Sequence, residues 1–202
     1  AGDLEKIESV HRGNKRLCFL STVFHLCADF KNRNQDRTMK RQLEYFTIDE
    51  AVGGNQEWFP GTFQRRAGCG SVTGTNIAVC EGLFSQEVEN SESIPYESYL
   101  ELMEGMYQYM TPGFMGYPLI GKFKKDFLSF ASGRGKDLKA KSMFLPRDKQ
   151  GCLEFIREGL YHGHPVALLI WRHSRKEFRE DNWHWVTITG YEEEREILIW
   201  SN

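Results

Sequence analysis

The spacing of apolar residues predicts that helices fill most of this chain. Apolar side chains that recur every three or four residues are typical of a helix with one face in the core. Five segments show this spacing, namely residues 11–30, 69–83, 96–110, 118–131 and 151–161. We expect the second of these to be an amphipathic helix that begins at Cys69. Gly70 and Gly74 lower its helix propensity, so we expect them to allow a close approach of another backbone.

The pattern changes to that of β-strands after Pro165. Residues 166–171 form an apolar run typical of a buried strand, and residues 183–191 alternate and are rich in Trp, Val, Thr and Ile. A charged turn leads to a third strand over 197–200, which predicts an antiparallel hairpin with the second. Because helices precede strands rather than alternating with them, the order of elements predicts an α+β fold.

Composition and charge exclude several classes of protein. Of 202 residues, 40% are hydrophobic and 27% are charged, which fits one globular domain better than a disordered tail. The formal net charge of −2 gives no basic excess, so we expect no nucleic-acid partner. No apolar run approaches the roughly 18 to 20 residues that span a bilayer, so we expect no membrane span. The composition leaves the oligomeric state open.

The cysteines favour free thiols over a disulfide framework. There are five, an odd number, and no CxxC pair occurs among them. We expect Cys18, Cys27, Cys80 and Cys152 to be small buried hydrophobic side chains. Free thiols favour a cytoplasmic location. The N-terminus does not have the pattern of an intact signal peptide, but a signal removed earlier would leave the same sequence, so secretion stays open.

We expect no metal and no other cofactor. His162 and His164 flank a glycine and precede a proline, which is more typical of a solvated turn than of a metal site, and His173 adds one further histidine. The segment 133–136 contains two glycines and two basic residues, but it lacks the full phosphate-loop pattern. We therefore expect it to close a helix.

Cys69 has the sequence context of a nucleophile. It follows Gly68 where a loop enters a helix, and the first amides of a helix stabilise a thiolate, so we expect a lowered thiol pKa. The same amides can hold an oxyanion, and the amide of Gln64, five residues earlier, can join them. The sequence therefore predicts acyl transfer through cysteine.

His184 is the candidate general base. It begins a strand between two tryptophans, which predicts a rigid imidazole partly shielded from water. If the last two strands form a hairpin, the residues near Ser201 and Asn202 lie beside His184. The Asn202 amide can then accept the imidazole N–H and fix its tautomer, which is the third role in a triad.

These segments resemble the papain-like cysteine peptidases. The resemblance is strongest to the bacterial branch typified by bacteriocin-processing peptidases. It rests on the order of Gln64, Gly-Cys69-Gly, His184-Trp-Val-x-Ile-x-Gly-Tyr and a polar residue after the next strand. Residues 155–168, which read as a helix, Gly-x-Pro-Val and a strand, are similar to the same family's entry to its sheet. The resemblance covers roughly residues 60–202 and does not extend to residues 1–58.

The resemblance implies one papain-like domain over residues 1–202, in which a nucleophile helix packs against a small antiparallel sheet. Residues 1–58 would be an N-terminal extension, 59–163 a mainly helical part and 164–202 a β part. The family's roles, carried to this sequence, make Cys69 the nucleophile and His184 the general base. Gln64 becomes the oxyanion-hole side chain, and Asn202 orients the histidine. The implied activity is hydrolysis of a peptide or amide bond through a thioester acyl-enzyme.

Two alternatives to this activity stay open. The acyl group can pass to an amine, as in transglutaminase-like enzymes. The chain can also be a catalytically inactive papain-like module that binds a peptide or a protein. Ser71 stands where the branch usually has proline, and Ser201-Asn202 stands where it usually has Asp-Pro; both departures favour the inactive module. The Tyr- and Met-rich stretch 99–117 forms either a core helix or one wall of an apolar substrate cleft.

Overall fold

The helices and strands form a mixed α+β fold. The computed structural model describes residues 21–27, 40–84, 93–144, 149–171, 183–192 and 197–201. The α-helices in these ranges are α1 (Thr62–Ala67), α2 (Cys69–Cys80), α3 (Tyr96–Tyr109), α4 (Ile120–Gly133) and α5 (Lys149–Tyr161). The strands are β1 (Ser21–Cys27), β2 (Lys40–Gln42), β3 (Thr47–Ile48), β4 (Ala51–Val52), β5 (Ser93–Ile94), β6 (Lys139–Phe144), β7 (Val166–Ile170), β8 (His184–Glu192) and β9 (Ile197–Ser201). A single 3-10 turn spans Gln56–Trp58.

The larger sheet is antiparallel at every pairing that the described residues show. Its strand order is β2, β8, β7, β1, β6, and β9 also pairs with β8. The first half of β8 pairs with β7, and its second half pairs with β2. Together with β9, this gives β8 three partner strands. Gly190 lies where the register of β8 against β9 shifts, and a Cβ there would come within 2.9 Å of the Arg41 carbonyl oxygen. Only glycine lets β2 approach this closely. A smaller sheet has the order β4, β3, β5.

Helices cover both faces of the larger sheet. Alternate residues of β7 and β8 point to opposite faces. Val166, Leu168, Val186 and Ile188 pack against α5 in one core. Ala167, Leu169 and Trp185 pack in a second core with residues of α2 and α4. Because both faces of β7 are buried, its sequence is an uninterrupted apolar run, as is typical of strands covered on two sides.

Most of the predicted elements are confirmed. The helices predicted over 69–83, 96–110, 118–131 and 151–161 correspond to α2, α3, α4 and α5, and the predicted strands correspond to β7, β8 and β9. The predicted hairpin is β8 with β9. The segment 133–136 closes a helix as expected, since α4 ends at Gly133. Among the described residues, no helix combines the length and apolar character needed to cross a bilayer.

The helix predicted over residues 11–30 is wrong for 21–27, which form β1. This strand lies inside the sheet, paired with β7 on one side and β6 on the other. A buried strand is apolar on both faces, so a short apolar run does not distinguish it from a helix. The rest of 11–30 lies outside the described residues. The pattern of apolar residues predicts strands only at the end of the chain. Because β1 lies near its start, this prediction is wrong.

Helix α2 is buried on every side rather than amphipathic. Residues 69–78 are all buried, including the polar residues Ser71, Thr73, Thr75 and Asn76. The helix lies between β8 on one side and α3 and α4 on the other. An added Cβ at Gly74 would come within 2.7 Å of the Met110 sulfur, so Gly74 allows close approach of a side chain and not of the backbone that the sequence predicts. The small side chains of α2 thus reflect burial and not a solvent-exposed face.

Substitution of Phe123 tests the core between α4 and the sheet. The Phe123 ring is fully buried and stacks on the Trp185 indole with ring centroids 4.4 Å apart. We expect Phe123→Ala to lower the free energy of unfolding by about 3–5 kcal/mol, because it leaves a cavity in the core. Urea titration measures the change. Phe114→Ala is the control, since that ring is 99% exposed, and it should change the free energy by less than about 0.5 kcal/mol. Equal losses in the two variants would contradict this packing.

Candidate active site

Cys69 lies at a sharp junction between two helices. Helix α1 ends at Ala67, Gly68 caps both helices, and Cys69 is the first residue of α2. A Cβ at Gly68 would come within 2.4 Å of the Gln64 carbonyl oxygen and 2.6 Å of the Phe59 ring. Only glycine fits there, so the chain can turn at this point and present Cys69 at the N-terminus of α2.

The Cys69 sulfur contacts the two peptide groups that flank His184. The Cys69 thiol lies 4.0 Å from the Trp183 carbonyl oxygen, which it faces as a weak donor. The backbone N–H of Trp185 lies on the same sulfur and donates to it. Standard peptide dimensions then place Sγ within about 7 Å of the His184 Cα. The structure therefore places the Cys69 sulfur beside the backbone of His184, and the roles of the two residues as nucleophile and base stay predictions.

The backbone is strained where it enters β8. Trp183 has φ of 65°, which is a left-handed conformation that a bulky aromatic residue rarely adopts. Its N–H donates to the Ile170 carbonyl oxygen at 2.6 Å, and Ile170 pairs with the half-buried His184. The Trp183 ring is 48% exposed and packs against the Trp171 ring, with centroids 5.2 Å apart. Strain of this kind is often found at functional sites.

Burial raises the pKa of the Cys69 thiol above its ordinary value. The residue is only 7% exposed, and loss of solvation is the largest influence. The N–H groups of Trp185, Gly70 and Cys69 itself act in the opposite direction. The expected lowering of the thiol pKa by the helix N-terminus is therefore wrong, because β8 covers the sulfur. The raised pKa favours the protonated thiol at neutral pH, so attack through this sulfur would need a base to take its proton.

Gln64 lies in α1, the helix that precedes Cys69 along the chain. Its side-chain carbonyl oxygen accepts the backbone N–H of Gly61 at 2.9 Å and so caps the start of α1. This bond uses the acceptor end of the amide and leaves the NH2 end as the group suited to an oxyanion. The oxyanion role of Gln64 stays a prediction.

The third residue of the predicted triad, Asn202, lies outside the described residues. The last described residue of β9 is Ser201, which pairs with Thr187, three positions after His184 in β8. The Ser201 hydroxyl donates to the Tyr45 phenol oxygen at 2.9 Å. The hairpin thus brings the end of β9 near the start of β8, as predicted.

Segment 110–117 lies against the first turn of α2. The Ser71 hydroxyl donates to the Met110 carbonyl oxygen at 3.1 Å. A Cβ at Gly70 would come within 3.2 Å of the Tyr117 ring, so a side chain, and not the backbone expected there, lies close to this glycine. The Trp185 indole N–H donates to the Tyr117 carbonyl oxygen at 2.7 Å. Ser71, which departs from the proline of the resembled branch, therefore fixes this segment beside Cys69.

A short turn within this segment presents two apolar side chains to solvent. Gly113 and Gly116 exchange two backbone hydrogen bonds of 3.0 Å, which closes the turn around Phe114 and Met115. Phe114 is 99% exposed and Met115 is 72% exposed. Four side chains of the Tyr- and Met-rich stretch are instead fully buried, namely Tyr99, Met103, Met106 and Met110, whereas Tyr109 is exposed. The turn, and not the helix, is the part suited to line a cleft.

The sequence did not identify a buried polar network behind the site. Asn76 Oδ1 accepts the Tyr99 hydroxyl at 2.7 Å and the Gly54 N–H at 3.0 Å, and its Nδ2 donates to the Thr187 hydroxyl at 3.3 Å. Thr187 also hydrogen-bonds Tyr45. In the predicted helix over 69–83, Asn76 lies on the face that carries the apolar residues. A polar residue on that face was the one signal in the sequence that pointed to this network.

The other candidates from the sequence lie elsewhere. His164 Nδ1 lies 2.8 Å from Glu81 Oε1 at the C-terminal end of α2, and His162 is exposed. His173 lies outside the described residues. Cys80 is exposed at the end of α2 and Cys152 is half-buried, so the prediction of a buried side chain is wrong for Cys80. The structure does not describe the side chains of Cys18 and Cys27. In the described ranges no three potential metal ligands come together.

Comparisons with known proteins give no match. No protein-family model, no curated protein and no solved structure matches this chain.

The pH dependence of Cys69 alkylation tests the site. Because the thiol is protonated at rest, we expect the iodoacetamide rate to rise through the pH range where an imidazole loses its proton. In His184→Ala the thiolate must form unaided. Burial raises the pKa of Cys69, so the rate should be lower at pH 7 and should still be rising at about pH 9. Peptide mass spectrometry measures the modification of Cys69. Identical profiles in the two proteins would exclude His184 as the base.

Proposed function

We propose that this protein is a papain-like cysteine peptidase or amide hydrolase that acts through Cys69 and His184. The observation that carries the proposal is the contact of Cys69 Sγ with both peptide groups flanking His184. The two residues are far apart in sequence, and each is the first residue of its element. Nucleophile and base on two different rigid elements is the arrangement that thiol acyl transfer requires.

The reaction begins with transfer of the Cys69 proton to His184. The sulfur forms a bond to the acyl carbon as the proton leaves, so no free thiolate has to be stable in the buried site. The N–H groups in the first turn of a helix have no acceptor within that helix, so the Cys69 N–H, together with the Gln64 NH2, is suited to bind the oxyanion. His184 then gives its proton to the leaving amine, and a thioester remains. Water attacks the thioester with His184 as base and releases the acid and the thiol.

Burial of Cys69 favours one alternative function. A cysteine that is only 7% exposed and whose thiol pKa is raised by burial also suits a module that binds a peptide without cleaving it. Ser71 supports the same alternative, because its hydroxyl bond to Met110 serves the packing of segment 110–117.

Trapping of the acyl-enzyme separates these functions. We expect incubation with a library of peptide p-nitrophenyl esters to add the mass of an acyl group to Cys69, and water to remove it again. Cys69→Ala should take up no acyl group, and His184→Ala should acylate more slowly. Loss of the adduct to a labelled amine in preference to water would assign acyl transfer instead of hydrolysis. Peptide binding without any adduct on Cys69 would assign the inactive module.

The exposed turn tests where substrate binds. If Phe114 and Met115 form one wall of the cleft, Phe114→Ser with Met115→Ser should lower kcat/KM for peptides with large apolar side chains by about thirtyfold, since each of the two lost contacts is worth roughly 1 kcal/mol. Alkylation of Cys69 by iodoacetamide should not change, because this small reagent does not use the turn. A control pair of serines at Val52 and Tyr161, also exposed, should leave kcat/KM unchanged. An equal loss in both double variants would place the substrate elsewhere.

A further inference from the structure

The position of α2 against β8 is fixed by polar contacts at two points. The first is the Cys69 sulfur with the peptide groups of Trp183 and Trp185. The second is the hydrogen bond from Asn76 Nδ2 to the Thr187 hydroxyl. Cys69 and Asn76 are seven residues apart and so share one face of the helix, about 10 Å apart along its axis. Trp185 and Thr187 share one face of β8. Two points of contact fix both the rotation and the shift of a helix against a strand.

The orientation of the Asn76 amide is unambiguous. The Gly54 backbone N–H can only donate, so the atom facing it at 3.0 Å must be the carbonyl oxygen. The Tyr99 hydroxyl donates to the same oxygen at 2.7 Å. Both lone pairs of Oδ1 are then used, and the NH2 group points to Thr187. Because Asn76 is completely buried, a shift of α2 would leave this amide without its partner.

We propose that Asn76, through its hydrogen bond to Thr187, is a positioning residue that holds Cys69 in register with the start of β8. The other side chains between α2 and the sheet are largely apolar, and apolar contacts have no preferred direction. A directional bond in a buried interface selects one register where apolar packing permits several. The effect of this register on catalysis rests on the proposed function. The register itself, which is the alignment of α2 along β8, does not.

The continuation of the network supports this role. Thr187 also hydrogen-bonds the Tyr45 phenol, and the Ser201 hydroxyl donates to the same phenol. Burial raises the pKa of Tyr45 and of Tyr99 well above the ordinary value, so both remain neutral phenols at working pH. The Asn76 bond is thus connected to the end of β9 as well as to β8. It links the helix that carries the nucleophile to both strands of the hairpin that begins with the base.

Substitution of Thr187 tests the proposal. Thr187→Val keeps the branched shape in β8 and removes the acceptor of the Asn76 amide. We expect it to lower the His184-dependent rate of Cys69 alkylation at pH 7 by about tenfold, because a small displacement of a nucleophile is costly. Thr187→Ser keeps the hydroxyl and should restore the rate. Melting temperatures are measured for every variant, and rates are taken well below the lowest of them.

Two matched variants separate positioning from stability. Tyr99→Phe removes a different hydrogen bond to Asn76, so it should lower the melting temperature as Thr187→Val does and leave the alkylation rate unchanged. Tyr45→Phe removes the second partner of Thr187 and keeps the Asn76 bond, so it too should leave the rate unchanged. A normal rate in Thr187→Val, or an equal loss in Tyr99→Phe, would overturn the proposal.

A second readout does not depend on catalysis. The Trp185 backbone N–H faces the Cys69 sulfur, so its amide resonance reports the register of α2 against β8. We expect this resonance to move in Thr187→Val as it does in Cys69→Ala, and to stay in place in Tyr99→Phe. If the wild-type rate proves independent of His184, the proposed function fails, and this resonance still decides the register. An unmoved resonance in Thr187→Val would overturn the positioning role.

Discussion

The close packing of α2 against β8 is the constraint on which the rest of the structure depends. A helix covered on every side has room for only small side chains, and its buried polar groups favour partners; Ser71, Thr75 and Asn76 each have one, whereas the Thr73 hydroxyl has none among the described residues. This accounts for Gly74 beside the Met110 sulfur and for the Ser71 hydroxyl on the Met110 carbonyl oxygen. It also accounts for the three hydrogen bonds of Asn76. Residues that make α2 a weak helix by propensity are the ones that let the sheet and its neighbouring helices meet there.

The same packing sets the chemistry available to Cys69. A strand that lies directly on the sulfur removes water and raises the pKa of the thiol, and its peptide groups beside His184 contact the sulfur. A cysteine can attack as a thiolate that a helix N-terminus stabilises, or as a thiol that loses its proton to a base only during the attack. The burial of the Cys69 sulfur favours the protonated thiol. The strained backbone at Trp183 belongs to the same arrangement, because its carbonyl oxygen lies on the sulfur.

The long periodic segments could be predicted from the sequence, and the short or buried ones could not. Helices α3, α4 and α5 each have an apolar stripe, and the sequence has a charged segment between the two strand patterns of β8 and β9. β1 was missed because a short run with apolar residues does not distinguish a strand from a helix, and β2 has only three residues. The nearness of Cys69 to the start of β8 was expected from the motifs. The direction of the thiol pKa was not, because that depends on how closely β8 covers the sulfur. The role of Asn76 depends on a partner 111 residues away.

The central place of β1 in the sheet has a consequence for how the chain can mature. β1 pairs with β7 and β6, two strands that come more than a hundred residues later. Proteolytic removal of a leading fragment that includes residues 21–27 would separate β7 from β6 and expose an unpaired edge on each, which invites aggregation. Such a cut would therefore not leave an intact sheet. It also follows that the sheet cannot close until β7 has left the ribosome, so α2 is synthesised long before its supporting sheet exists.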